Sequence, residues 1–173
     1  MNTDALGRVA TTTAGLCAEL ATALQRRGWM MATGESCTGG MIAAACTDLS
    51  GSSAWFERGF VTYSNQAKTE LLGVDAQLLA REGAVSEAVA RAMVTGTVAR
   101  APVQAAVCVT GVAGPTGGSE AKPVGTVWFG WNVAGRINTE CRHFDGDRAA
   151  VRSATVHHAL AHLLVLLQEM PRP

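Results

Sequence analysis

The stretch Trp29-Met30-Met31-Ala32-Thr33-Gly34-Glu35-Ser36-Cys37-Thr38-Gly39-Gly40 runs from an apolar strand, Trp29 to Thr33, through a glycine-flanked serine and into a helix. A strand that turns directly into a helix is the opening unit of an α/β fold. The turn is also a chemical opportunity. N–H groups in the first turn of a helix lack partners inside it, and they suit a developing oxyanion or a phosphate placed beside them. Ser36 is therefore the leading nucleophile candidate.

Upstream of this stretch, Leu16, Leu20 and Leu24 fall four apart and predict an amphipathic helix over about residues 12–27, which Gly28 stops. Downstream, Met41, Ile42, Ala43 to Ala45 and Leu49 predict a buried helix over 40–49. Arg58 to Tyr63 reads as a strand. Ser64 or Asn65 then caps a helix, Gln66 to Leu72, that Gly73 ends. Ser86 caps another helix, which reaches about Arg100 before Pro102. Gln104 to Thr110 is a nearly continuous apolar run, as in a central strand buried on both faces. Val124 to Val133 and Arg136 to Phe144 form a hairpin at Ala134-Gly135, and Asp145 or Asp147 caps a last helix from Arg148 to about Gln168. Early alternation and a late hairpin predict one domain over 1–173, with its core at 29–168. The expected fold class is an α/β, three-layer α/β/α sandwich with a mixed sheet.

Acidic and basic residues balance at 14 each, and charged residues are only 16% of the 173. That balance points away from nucleic acid and from anionic membranes. No run approaches the ~20 apolar residues of a bilayer span, and the N-terminus, with Asp4, does not read as a signal peptide. The five cysteines are odd in number and show no Cys-x-x-Cys spacing. Buried, reduced thiols in a cytoplasmic protein are the expectation.

Twelve arginines stand against two lysines, Lys68 and Lys122. A guanidinium cannot lose its proton in a protein, whereas a desolvated lysine can. The four histidines are His143, His157, His158 and His162, and no Ser/His/Asp arrangement emerges from their positions. Lys68 is the alternative base, because it lies in the first turn of a helix that follows a strand, the same kind of position as Ser36. If the two strands are neighbours, both residues meet at one sheet edge. On residue type alone the plainer alternative stands beside this one: a Gly/Ser/Thr turn that only caps a helix, an exposed helix lysine, and a Tyr63 that only fills a strand position.

The turn is neither a Gly-x-Ser-x-Gly elbow, because Thr38 takes the last glycine's place, nor a P-loop, because Gly40-Met41 stands where Lys and Ser/Thr are needed. The loop Thr110-Gly111-Val112-Ala113-Gly114-Pro115-Thr116-Gly117-Gly118 has the glycines to let backbone approach a phosphate or ribose. His158 and His162 fall four apart without the Glu of a His-Glu-x-x-His motif, so no metal ligands are predicted. Arg148 and Arg152 lie one turn apart, and residue type alone sends them to solvent.

Taken together, Glu35-Ser36-Cys37-Thr38-Gly39-Gly40, Tyr63-Ser64-Asn65-Gln66-Ala67-Lys68 and the Thr110 to Gly118 loop resemble the CinA C-terminal domain family, the nicotinamide-nucleotide amidohydrolases. Gly51-Ser52-Ser53, Leu71-Leu72-Gly73-Val74, Gly83-Ala84-Val85-Ser86 and Pro123-Val124-Gly125-Thr126-Val127 fit as well, so the resemblance covers about residues 12–168. It implies hydrolysis of the carboxamide of nicotinamide mononucleotide to nicotinate mononucleotide and ammonia, with no cofactor. Ser36 would attack, Lys68 would take its proton, and Tyr63 would hold the lysine or deliver a proton to the leaving ammonia. N–H groups of Cys37, Thr38, Gly39 and Gly40 would form the oxyanion hole. Thr110, Gly111 and Gly114 would shape the nucleotide pocket, with Arg148 on the phosphate. A homo-oligomer is implied too. The sequence departs from the pattern at Arg58-Gly59, where members often carry Gly-Gly, and many members carry a larger N-terminal domain. The alternatives are a nucleotide-binding or protein-interaction module linked to competence or DNA damage, and a Ser/Lys hydrolase of another small amide.

Overall fold

Thr12 accepts a hydrogen bond from the Gly15 N–H and so caps the first helix, α1 (Thr13–Gln25), whose Leu16, Leu20 and Leu24 are fully buried. There follow β1 (Met31–Glu35), α2 (Met41–Thr47), β2 (Phe56–Val61), α3 (Asn65–Leu72), α4 (Ala76–Glu82) and α5 (Glu87–Arg100). The chain continues with β3 (Ala105–Gly111), β4 (Thr126–Val133), β5 (Arg136–His143) and α6 (Arg148–Gln168). The structure, a computed structural model, describes residues 12–171. The N-terminal stretch with Asp4, on which the absence of a signal peptide was read, lies outside the described residues.

The sheet runs in the order β2-β1-β3-β4-β5, with β2, β1 and β3 parallel and β4 and β5 antiparallel, which is the mixed sheet expected from the sequence. Side chains alternate across it. Met31, Ala105, Val107 and Val109 join Phe129 and Trp131 under α1, α2 and α6, while Ala106 and Cys108 pack with Val89, Met93 and Val94 of α5. Helices thus cover both faces. Trp131 fastens one of them directly, donating its indole N–H to the Ala159 carbonyl at 3.0 Å.

This topology brings the carboxyl ends of β1, β2 and β3 to one edge. The antiparallel β4 starts at that edge, β5 ends there, and α6 therefore begins there. Functional residues of open α/β sheets gather at such an edge.

Several boundaries move from their predicted places. β1 occupies 31–35 rather than 29–33, because its last residue, Glu35, is fully buried despite its charge. β2 starts earlier and stops at Val61, leaving Tyr63 beyond the strand. α4 was not foreseen; it has seven residues, and among them only Leu79 is buried, too little apolar periodicity to read. Cys17, Cys37, Cys46 and Cys108 are buried thiols as expected, but Cys141 is exposed on β5. α6, at 21 residues, is long and apolar enough to cross a membrane by length and composition, contrary to the sequence reading. Its apolar side, including Leu160, Leu163 and Leu164, is spent on the core.

Gly96 marks the tightest helix crossing: a Cβ there would come within 1.9 Å of the Leu72 carbonyl oxygen. Alanine favours a helix by roughly 0.5–1 kcal/mol, but this clash is with backbone and no rotamer relieves it. Gly96→Ala is expected to lower stability by about 1–3 kcal/mol in urea unfolding. A gain in stability would mean that α3 and α5 can separate freely.

Candidate active site

Glu35 ends β1 with its carboxylate pointing into the turn that follows. It accepts from the hydroxyls of Thr33 (3.2 Å) and Thr38 (2.7 Å) and from the N–H groups of Gly40 (3.1 Å), Ile42 (2.9 Å) and Ala43 (2.8 Å). The cap position of α2, Gly40, has no side chain to supply a cap. Glu35 does that work from five residues upstream, satisfying N–H groups that a helix start leaves open. Gly39 and Gly40 have φ of 59° and 100°, the left-handed region that glycine enters without strain.

Ser36 sits on this turn, with its own N–H donated to the Val109 carbonyl of β3 at 3.1 Å. Lys68, the fourth residue of α3, comes to it from the neighbouring strand end. Its Nζ lies 3.0 Å from Ser36 Oγ, 3.0 Å from the Thr62 carbonyl oxygen and 3.5 Å from that of Tyr63. Lys68 is 1% exposed and Ser36 8%. Burial holds the Lys68 pKa below the ordinary lysine value, because the charged form is the one that loses hydration. Cys37, next along, is pushed up to about 11, by burial above all. Its thiol is therefore a poor nucleophile at neutral pH.

The other predicted residues divide. Tyr63 lies in the neighbourhood, but its side chain is 59% exposed and its hydroxyl takes a hydrogen bond from Arg148 Nη2 at 2.8 Å. Only its backbone carbonyl faces the lysine. Arg148 also donates through Nη1 to the Gly114 carbonyl at 2.9 Å, so it ties the glycine loop to Tyr63. It lines a cavity of about 650 Å³ together with Ala113, Pro115, Val124, Asp147 and Arg152. Thr110 and Gly111 are not among the residues that line that cavity. The Thr110 hydroxyl is donated to the Ala84 carbonyl, and Gly111 is pressed against Thr126 and Val127. Of the N–H groups after Ser36, that of Gly39 meets the Ser36 carbonyl at 3.1 Å and that of Gly40 meets Glu35. Neither can serve an oxyanion, in contrast to the sequence expectation.

Three contributors went unread in the sequence. Thr62 gives Lys68 an acceptor while its own N–H binds the Glu35 carbonyl at 2.7 Å. Glu35 carries a signal of its own in the sequence, an acid that ends an apolar strand directly before the serine. Arg152, assigned to solvent, instead donates to the carbonyls of Cys37 and Thr38. Its spacing from Arg148 at the start of α6 could have placed both on one side. Lys122, the second lysine, bonds the Glu82 carbonyl and lies outside this group.

The CinA C-terminal domain profile matches residues 13–167. The chain is 56% identical over 138 residues to the nicotinamide-nucleotide amidohydrolase PncC of Enterobacter agglomerans, covering 79% of this chain and 84% of that protein. It is 54% identical over 151 residues to the protein of the same name from Pseudomonas putida, covering 87% and 94%. The crystal structure of competence damage-inducible protein A (ComA) from Klebsiella pneumoniae subsp. pneumoniae MGH 78578 superposes with a TM-score of 0.90 at 43% identity, covering 93% of this chain and 100% of that one.

Glu35→Gln retains the shape of the buried acid but turns an NH2 toward at least one backbone N–H of Gly40, Ile42 or Ala43. Leaving a buried donor so opposed costs about 1–3 kcal/mol, and urea unfolding of this variant should show a loss of that size. An unchanged midpoint would remove Glu35 as the anchor of the turn.

Proposed function

The chain belongs to the CinA C-terminal domain family, and from that premise we propose that it hydrolyses the carboxamide of nicotinamide mononucleotide. The products are nicotinate mononucleotide and ammonia. The observation that carries the reading is the buried contact of 3.0 Å between Lys68 Nζ and Ser36 Oγ. A lysine so desolvated beside a hydroxyl is poised to act as its base.

In this mechanism Lys68 enters as the neutral amine. It takes the Ser36 proton as Oγ bonds to the carboxamide carbon, and the carbonyl oxygen becomes an oxyanion. The N–H groups of Cys37 and Thr38 stabilise that charge, each worth of order 3 kcal/mol to the transition state. The Lys68 ammonium then gives its proton to the amide nitrogen as the C–N bond breaks, releasing ammonia and leaving an ester on Ser36. Water, deprotonated by Lys68, attacks the ester; the tetrahedral adduct expels Ser36 Oγ, which recovers that proton from Lys68, and the product acid departs as the carboxylate after losing the remaining water proton to solvent. The carbonyls of Thr62 and Tyr63 orient the amine through both protonation states.

The cavity beside Arg148 takes the nucleotide portion, with the guanidinium on the 5′-phosphate. Tyr63 serves by holding Arg148, which is a different part from the one the family resemblance implied. A pure binding module would have no use for an amine desolvated against a serine hydroxyl.

Ammonia release from nicotinamide mononucleotide by the purified protein tests the assignment, and an inert wild type would end it. Ser36→Ala and Lys68→Ala should each lose about 10³-fold or more in kcat; full turnover by either would overturn the dyad. Because only neutral Lys68 is active, kcat/KM should rise with pH through an apparent pKa below the ordinary 10.5. Stability follows the same sign. The unfolded chain binds the lysine proton more tightly, so this group's contribution to stability also rises with pH through the window below 10.5.

A further inference from the structure

Arg152 stands one helical turn after Arg148 and lines the same cavity, yet its guanidinium is turned inward. Nε donates to the Cys37 carbonyl at 3.1 Å and Nη2 to the Thr38 carbonyl at 2.9 Å. Two directions of the fork are thus committed to consecutive carbonyls of the turn that carries the nucleophile. An arginine that only supplied charge to the cavity would have no need of either bond.

Peptide geometry makes this grip consequential. Across a trans peptide the C=O and N–H point in opposite directions. Drawing the Cys37 carbonyl toward α6 therefore turns the Thr38 N–H away from α6. Holding the Thr38 carbonyl does the same for the next peptide, whose Gly39 N–H meets the Ser36 carbonyl at 3.1 Å. The Thr38 side chain is pinned separately, its hydroxyl on Glu35 at 2.7 Å. Thr38 is held by an acid through its side chain and by a base through its backbone, and both restraints are directed by fixed geometry.

We propose that Arg152 is a positioning residue for the hydrolysis: by gripping the Cys37 and Thr38 carbonyls, it aims the Thr38 N–H at the oxygen of the amide that Ser36 attacks. The inference rests on the Ser36–Lys68 reading and deepens it. It also separates the two arginines of the cavity. Arg148 meets the substrate, and Arg152 acts through the turn. A donor fixed before the reaction costs no reorganisation when charge develops, which is where oxyanion stabilisation gains its size.

Steady-state kinetics of Arg152→Ala and Arg152→Lys on nicotinamide mononucleotide, with thermal melts to confirm folding, test this role. A misaimed donor lowers kcat by about 10–100-fold and leaves KM within about 3-fold. Arg152→Lys should fall between wild type and Arg152→Ala, since one ammonium lacks the fixed fork. Ethylguanidinium added to Arg152→Ala should raise kcat, which repair of a general folding defect would not do. A loss carried by KM at unchanged kcat would make Arg152 a substrate ligand and overturn the proposal, as would full kcat in Arg152→Ala. Should Arg152→Ala fail to fold, Arg152→Lys is judged by the same split between kcat and KM. Failure of the underlying mechanism looks different: the wild type releases no ammonia, or Ser36→Ala keeps its turnover.

Discussion

A charged group at the end of a wholly buried strand must find donors, and Glu35 finds them in the turn ahead of it. This constraint shapes the site more than any other. An unpaired buried carboxylate would cost several kcal/mol, so the chain after β1 must double back to present hydroxyls and N–H groups. The sharp turn that results has two left-handed glycines and a helix that starts without a cap residue of its own. Ser36 is carried on that turn, and its position follows from the needs of its neighbour.

The second constraint is the desolvation of Lys68. An amine reaching the interior from α3 needs acceptors, and the two strand ends supply them: Ser36 after β1, Thr62 and Tyr63 after β2. Parallel pairing of β1 with β2 is what makes these ends coincide, with Glu35 opposite Val61 in the register. The Thr62 N–H on the Glu35 carbonyl extends the pairing one residue past the strand. Sheet register, rather than any local feature of either motif, thus sets the distance between nucleophile and base.

Much of this was legible in residue order. The leucine spacing of α1, the caps at Ser64, Ser86 and Asp147, the glycine stop at Gly73 and the hairpin turn at Ala134-Gly135 all stand where periodicity and turn chemistry put them. Ser36 and Lys68 could be paired because each sits at a strand-to-helix junction. The remainder depended on contacts between distant segments. Nothing in the sequence says that Arg152 turns back to residues 37 and 38, or that the Tyr63 hydroxyl belongs to Arg148. Thr110 and Gly111 open a glycine loop and also end a strand, where the Thr110 hydroxyl is spent on the Ala84 carbonyl and Gly111 packs against the antiparallel neighbour, contacts that residue order does not reveal. α4 is too short, and too little of it is buried, for a pattern to emerge.

The distribution of cysteines has a practical side. Burial keeps Cys37 at about 11 and Cys108 at about 12, and both are closed to solvent, while Cys141 lies open on β5. β5 is the edge of the sheet opposite β2, with β4 and β3 standing between it and β1, the strand that leads into Ser36. A thiol-reactive fluorophore or crosslinker would therefore settle on Cys141, giving a single attachment point three strands across the sheet from the turn that carries the nucleophile, with the native sequence left intact.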